Sequence, residues 1–170
     1  MTISSAITNA ITAYETVVDD IMSGLGVNCE LVYVPIRQSC ANCIFDTLGQ
    51  KSSNIYNGTG PEPFTDGLCP YCNGLGFKLQ QVTETIKLRI NWSPKPGQNG
   101  VPVIIPEGSI QIIGFLSDLP KVMRTASIKI NSSQSDNHCW TYTVKSEPVT
   151  HGMGHKKQFS LLLERGIDDL

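Results

Sequence analysis

The chain has 170 residues, 40% of them hydrophobic and 16% charged, with a formal net charge of −2. That length suits one domain with room for a small insertion, and the near-neutral balance removes the basic excess that marks most nucleic-acid binders. The charged share falls below the usual value of about 25%, so much of the surface is uncharged, as it is where a protein keeps permanent neighbours.

No apolar run is long enough to span a bilayer, and the opening MTISSAITNA lacks the positive start of a signal peptide. The expectation is a protein made and kept in a cytoplasm, where disulfides are rare.

Residues 3–25 read as one amphipathic helix. Ile3, Ile7, Ile11, Tyr14, Val18, Ile21 and Leu25 recur in steps of three and four, which places them on one face. Ser4 or Ser5 can cap its start, and Gly24 or Gly26 ends it. The repeat is short for a coiled-coil seam, so the stripe is expected to dock on the domain itself or on a neighbouring subunit. CELVYVP at 29–35 follows as a strand.

Residues 36–76 differ in kind. They are rich in Gly, Asn, Ser and Pro, and no hydrophobic period runs through them. So long an irregular stretch inside a domain needs another source of order.

From residue 77 onward the signals are β. FKLQQVTETIKLRINW at 77–92 fits a bent strand or a hairpin, and within it Ile86, Leu88, Ile90 and Trp92 alternate with polar neighbours. SPKPGQNGVPVIIPEG at 93–108 is a stiff Pro/Gly loop. SIQIIGFL (109–116), ASIKIN (126–131), CWTYTVK (139–145) and QFSLLLER (158–165) are further strands, separated by the turn-rich pieces SDLPK, SSQSDNH and THGMGHKK. Five or six antiparallel strands at this spacing predict a mainly β fold, a small antiparallel barrel or sandwich. The whole chain, 1–170, then reads as a single domain: an N-terminal helix at 3–25, an inserted loop at 36–76 and a β core at 77–165.

Four of the six cysteines supply the missing source of order. Cys40-Ala-Asn-Cys43 and Cys69-Pro-Tyr-Cys72 form two C-x-x-C pairs. Two intervening residues let both sulfurs of a pair face one ion while backbone N–H groups turn toward them. Asn73-Gly74 follows the second pair, and glycine permits the left-handed turn that closes such a knuckle. Cys40, Cys43, Cys69 and Cys72 are therefore expected to hold one Zn²⁺, and a site closed by four thiolates is structural rather than catalytic. A thioredoxin-like redox pair would open a helix after a strand, which this irregular stretch does not offer. Independent disulfides would need an oxidised particle. Cys29 and Cys139 read as small core residues. CPYCNGLGF at 69–77 resembles the C-x-x-C-x-G-x-G repeat of DnaJ-type chaperone zinc domains, a likeness of knuckle geometry only.

Little else carries chemistry. His151 and His155 are spaced for a helical metal pair, but Gly152 and Gly154 argue for a turn. Asp19-Asp20 and Asp168-Asp169 are adjacent carboxylates whose side chains diverge. No nucleophile elbow, phosphate loop or dinucleotide fingerprint occurs, so no enzyme is read. Near the cysteines, Arg37, Lys51 and Lys78 are offset by Asp46, Glu62 and Asp66, too few cations for phosphate binding.

From residue 108 the chain resembles the head-closure, or stopper, proteins of tailed bacteriophages. The resemblance rests on a strand ending in an x-G-x-x-x-D-L-P turn (Gly114 to Pro120) and a following strand about Ile128-Lys129-Ile130. Next come an aromatic strand leading from Trp140 to Glu147-Pro148, a Gly-rich turn (Gly152, Gly154) and a last strand ending in Glu164-Arg165. TIKLRINWSPK before it also fits; the cysteine insertion and the N-terminal helix are not general features of the group. The resemblance implies a homo-oligomeric ring, six- or twelvefold, in the virion neck. Its partners would be a portal or adaptor ring, a tail terminator or tail tube, and packaged DNA held in the channel without sequence specificity; no membrane is implied. Low charge suits a chain that buries surface against ring neighbours. The other readings are a tail terminator or adaptor, or a zinc-ribbon protein that binds nucleic acid or a protein partner.

Overall fold

Alternating apolar residues in the second half of the chain have to share one dry face, and they do so by lining the inside of a closed β-barrel. The computed structural model describes residues 3–97, 104–131, 139–152 and 157–166. In chain order its elements are α1 (Ile3–Leu25), β1 (Val27–Tyr33), β2 (Ile36–Ser39), β3 (Cys43–Asp46), β4 (Lys51–Tyr56), β5 (Phe77–Gln80), β6 (Thr83–Asn91), β7 (Ile110–Phe115), a 3₁₀ turn (Leu116–Asp118), α2 (Leu119–Val122), β8 (Thr125–Asn131), β9 (Cys139–Val144), β10 (Val149–His151) and β11 (Gln158–Arg165). The fold is mainly β, as the strand spacing predicts, and the barrel form is realised rather than the sandwich.

Two antiparallel meanders, β1-β6-β7 and β8-β9-β11, close on each other through β1–β8 and β7–β11. Closure leaves none of these six strands with a bare edge along its whole length. β10 pairs with the start of β11, beyond the stretch where β9 pairs with its end. Between them Leu162 N donates to Ser146 Oγ at 2.8 Å, so the backbone stays satisfied across the break.

The interior is filled by every second residue. Cys29 and Leu31 face in from β1, Ile86 and Leu88 from β6, Ile110 and Ile112 from β7, and Ile128 and Ile130 from β8. Tyr142 faces in from β9, and Phe159, Leu161 and Leu163 from β11. Burial pushes the Cys29 thiol up to about 12, consistent with an inert core residue. The expectation that Cys139 is also a core residue fails: it is exposed at the start of β9. The D-L-P motif forms the crossover between the meanders, with Pro120 in the first turn of α2. That short helix inserts the fully buried Val122 into the same core. Glu84 ties it in place, accepting from Tyr33 Oη at 3.0 Å and pairing with Lys121 Nζ.

α1 runs over residues 3–25 as its periodicity predicts. Only its second half is used: Val18 and Met22 are buried, whereas residues 4–10 are exposed throughout. It meets β6, where Lys87 Nζ donates to Ser23 O at 3.0 Å. Gly26 closes the helix with its N–H on Met22 O at 3.1 Å, and a Cβ there would lie 2.3 Å from that oxygen.

The chain leaves the barrel after Tyr33 and re-enters at Thr83, on strand ends that pair side by side (Val32↔Thr83). The intervening Val34–Val82 is a compact unit of its own, separate from the unit formed by Met1–Tyr33 and Thr83–Leu170. Its limits are wider than the 36–76 read from composition. Phe77–Gln80, expected to belong with 81–92 to one bent strand or hairpin, instead pairs with Ile36–Ser39 as β5 with β2. A second hairpin, β3 with β4, lies inside the stretch expected to be irregular. These strands are short and mostly solvated, which is why no period announces them. No helix among the described residues is long and apolar enough to cross a membrane.

Gly114 marks the tightest point of the barrel. A Cβ there would lie 2.7 Å from Leu88 Cδ2 and 2.8 Å from the Phe159 ring. Gly114→Ala is therefore expected to cost about 1–3 kcal/mol of stability through overpacking, read as a lower midpoint with unchanged slope in urea unfolding.

Candidate metal centre

The four cysteines of the two C-x-x-C pairs converge. The sulfurs of Cys40, Cys43, Cys69 and Cys72 all lie within 4.8 Å of one another, and all four residues are buried. Among the described residues they form the cluster able to hold a metal ion. Cys40 Sγ is 3.9 Å from Cys69 Sγ, and Cys43 Sγ is 3.7 Å from Cys72 Sγ. Disulfides, with bonds of about 2.05 Å, are excluded, and the cysteines are free thiols.

Each pair is set by a turn and by the hairpin next to it. Cys40 follows β2 and Cys43 opens β3, so the first knuckle is the link between the two hairpins. Cys40 N donates to Gly76 O at 3.0 Å and Ser52 N to Gly74 O at 3.1 Å, which binds the second knuckle to the first knuckle and to β4. After Cys72 the chain turns through Asn73 and Gly74, both left-handed (φ 51° and 79°), as the Asn-Gly pair predicts. Gly76 is left-handed as well, and a Cβ there would lie 2.7 Å from Ser52 N, so no larger residue fits.

Backbone and side-chain N–H groups then turn on the sulfurs. Asn42 N lies 3.4 Å from Cys40 Sγ, and Gly76 N lies 3.2 Å from Cys72 Sγ. Burial pushes the Cys43 thiol up to about 12, with the neighbouring cysteines adding to the rise against the Ser52 hydroxyl. Burial also leaves Cys72 raised. Cys69 is opposite in direction: burial pushes it up, but hydrogen bonds from Asn42 and from the backbone of Cys72 and Tyr71 outweigh this and bring it to about 6. The hydrogen bonds around Cys69 thus favour its thiolate form, the form in which a sulfur holds a metal.

Asn42 supports the sulfur cluster although no motif in the sequence marks it. It is fully buried, and its amide grips the backbone of Glu62 from both sides: Nδ2 donates to Glu62 O at 2.7 Å, and Oδ1 accepts from Glu62 N at 2.8 Å. The same Nδ2 lies 3.5 Å from Cys69 Sγ. Asn42 therefore fastens the long segment between the pairs directly to the sulfur cluster. Gly60 makes room for it, since a Cβ there would lie 2.3 Å from Asn42 Oδ1. Asn57 braces the same segment, donating to Ala41 O and accepting from Thr59 N and Gly60 N. The signal that pointed to Asn42 was its place inside the first C-x-x-C pair; what hid it was that its partner is backbone, twenty residues away.

Of the other residues considered, Asp19 and Asp20 are exposed on α1, and His151 is exposed in β10. His155, His138, Asp168 and Asp169 lie outside the described residues. Arg37 stacks on Phe77 and Lys78 on Tyr71, so these two cations are engaged with rings rather than gathered into a phosphate site. No protein-family model matches the sequence, and neither the curated proteins nor the solved structures give a match.

The four sulfurs would hold a metal as thiolates, so protons would compete with it and affinity would fall as pH falls. Asn42→Ala removes the side-chain bond that does most to lower Cys69. The variant should bind metal about ten- to hundredfold more weakly and lose it at a higher pH than the parent chain. Chelator competition at stepped pH measures both, and coincident release curves would contradict this role for Asn42.

Proposed function

We propose that this chain is a structural ring protein of the bacteriophage neck, of head-closure type, with one structural Zn²⁺ per subunit. One observation carries the reading. The segment from residue 108 to 165, whose motifs resemble head-closure proteins, supplies four of the six strands of a closed barrel, and its D-L-P motif supplies the helix that plugs it. Small closed barrels of this kind leave their outer walls and loops free for packing against copies of themselves.

The surface agrees with such packing. Leu48 is 96% exposed and Ile104 is 85% exposed, and Ile7, Met123, Leu68 and Leu79 are also in solvent. These side chains are available for burial against a neighbouring copy. The partners in this reading are the next copies in a six- or twelvefold ring, a portal or adaptor ring on one side, a tail terminator or tail tube on the other, and DNA in the channel.

Zinc is the metal that the donor set favours. A tetrahedral ion with Zn–S bonds of about 2.3 Å has sulfur–sulfur edges of about 3.8 Å, against the 3.9 and 3.7 Å found. Four soft thiolates leave no open position for substrate, so the ion shapes the chain rather than reacting. Iron fits the same four sulfurs and is distinguished by colour.

Negative-stain imaging of the purified full-length protein, with metal quantified in the same sample, tests the reading. Six- or twelvefold rings, colourless and with one zinc per chain, are the expected result, and Cys40→Ser should lower zinc content and assembly together. A lone subunit at every concentration, or coloured iron-bearing protein, would contradict it.

A further inference from the structure

One end of the barrel carries a cleft of about 380 Å³ lined by Trp92, Gly108, Ser109, Ile110, Trp140, Tyr142 and Arg165. Both tryptophans of the chain meet here. Trp92 is 52% exposed at the end of β6, so much of its ring surface is open to a ligand. Trp140 is half-buried against the core, and the Arg165 guanidinium lies 3.6 Å over its ring. This stacking holds a cation at the cleft wall in a fixed plane. No carboxylate lines the cleft among the described residues.

Ser109 gives a second, independent sign. The residue is 6% exposed, and its Oγ is buried with no hydrogen-bond partner among the described residues. Buried hydroxyls are almost always paired, so this wall of the cleft keeps a hydrogen-bonding capacity that the described residues leave unused. Aromatic walls, one polar hydroxyl and one planar cation at a barrel mouth are the composition of a small-molecule site, and the volume is in the range for one.

We propose that this cleft binds an aromatic anion of nucleotide size, its flat ring stacked against Trp92 and its negative group held by Arg165. The ring half follows from the open indole face, since bases stack on aromatic side chains whatever their sequence. The anionic half follows from a guanidinium, whose planar fork matches phosphate oxygens.

Intrinsic fluorescence reads the site directly, because no tryptophan lies elsewhere in the chain. Metal-loaded full-length protein titrated with adenosine 5′-monophosphate should show saturable quenching. Adenosine, which keeps the ring and loses the charge, and inorganic phosphate, which keeps the charge and loses the ring (followed by its competition with the nucleotide), should each bind about tenfold more weakly or worse. Trp92→Ala should weaken nucleotide binding by about tenfold or more, with the remaining signal from Trp140, and its exposed position should leave the melting temperature unchanged. An oligodeoxyadenylate that binds more tightly than the mononucleotide identifies single-stranded nucleic acid as the source of the ligand; equal or weaker binding identifies the free nucleotide. Absence of saturable quenching at millimolar nucleotide, equal binding of adenosine, or undiminished binding by a folded Trp92→Ala variant would overturn the proposal.

Discussion

Four buried sulfurs brought within bonding distance of a common point are the constraint on which the Val34–Val82 unit depends. Its buried apolar cluster consists of the cysteines themselves, with Phe64 and Tyr71 packed against them. The large aliphatic side chains of the unit point the other way: Val34, Ile36, Ile44, Leu48, Ile55, Leu68, Leu75 and Leu79 are all exposed. A unit this small cannot offset its chain entropy by apolar burial and needs a metal or a similar staple. The two hairpins, the left-handed turn at Asn73-Gly74 and the Asn42 clasp on Glu62 then act as supports, each placing a sulfur or holding the loop that joins the pairs.

The barrel is built on the opposite plan. Its order comes from aliphatic burial, with thirteen buried residues in one cluster and a plug at the crossover. Cys29 sits within that cluster as an inert core residue, whereas the paired cysteines are held at the surface of one another by hydrogen bonds to sulfur. The same residue type thus serves two purposes in one chain, and burial among aliphatic side chains or among N–H donors decides which. The insertion interrupts the barrel where two paired strand ends lie side by side, so either unit can be completed without disturbing the pairing of the other.

How much of this was legible follows from which interactions leave a periodic trace. α1 was readable to its limits because one stripe repeats every three or four residues, and β11 was readable to its limits because QFSLLLER sits between turn-rich pieces. The convergence of the four cysteines was readable because C-x-x-C spacing is itself geometry. The pairings of Ile36–Ser39 with Phe77–Gln80, and of Cys43–Asp46 with Lys51–Tyr56, were not, because the strands are short and most of their side chains face water. Asn42 escaped for a related reason: its role is a pair of hydrogen bonds to a distant backbone, which no local pattern encodes. The exposed first half of α1 is the converse case, an apolar stripe left half uncovered among the described residues.

Hydrogen exchange with and without a thiol-competitive chelator measures the central claim most directly. If a metal ion organises the Val34–Val82 unit, chelation should abolish protection at the amides of Cys40 and Ser52, which pair with Gly76 O and Gly74 O, while the amides of β6, β7 and β11 keep theirs. Protection at Cys40 and Ser52 that survives complete removal of the metal would contradict the account.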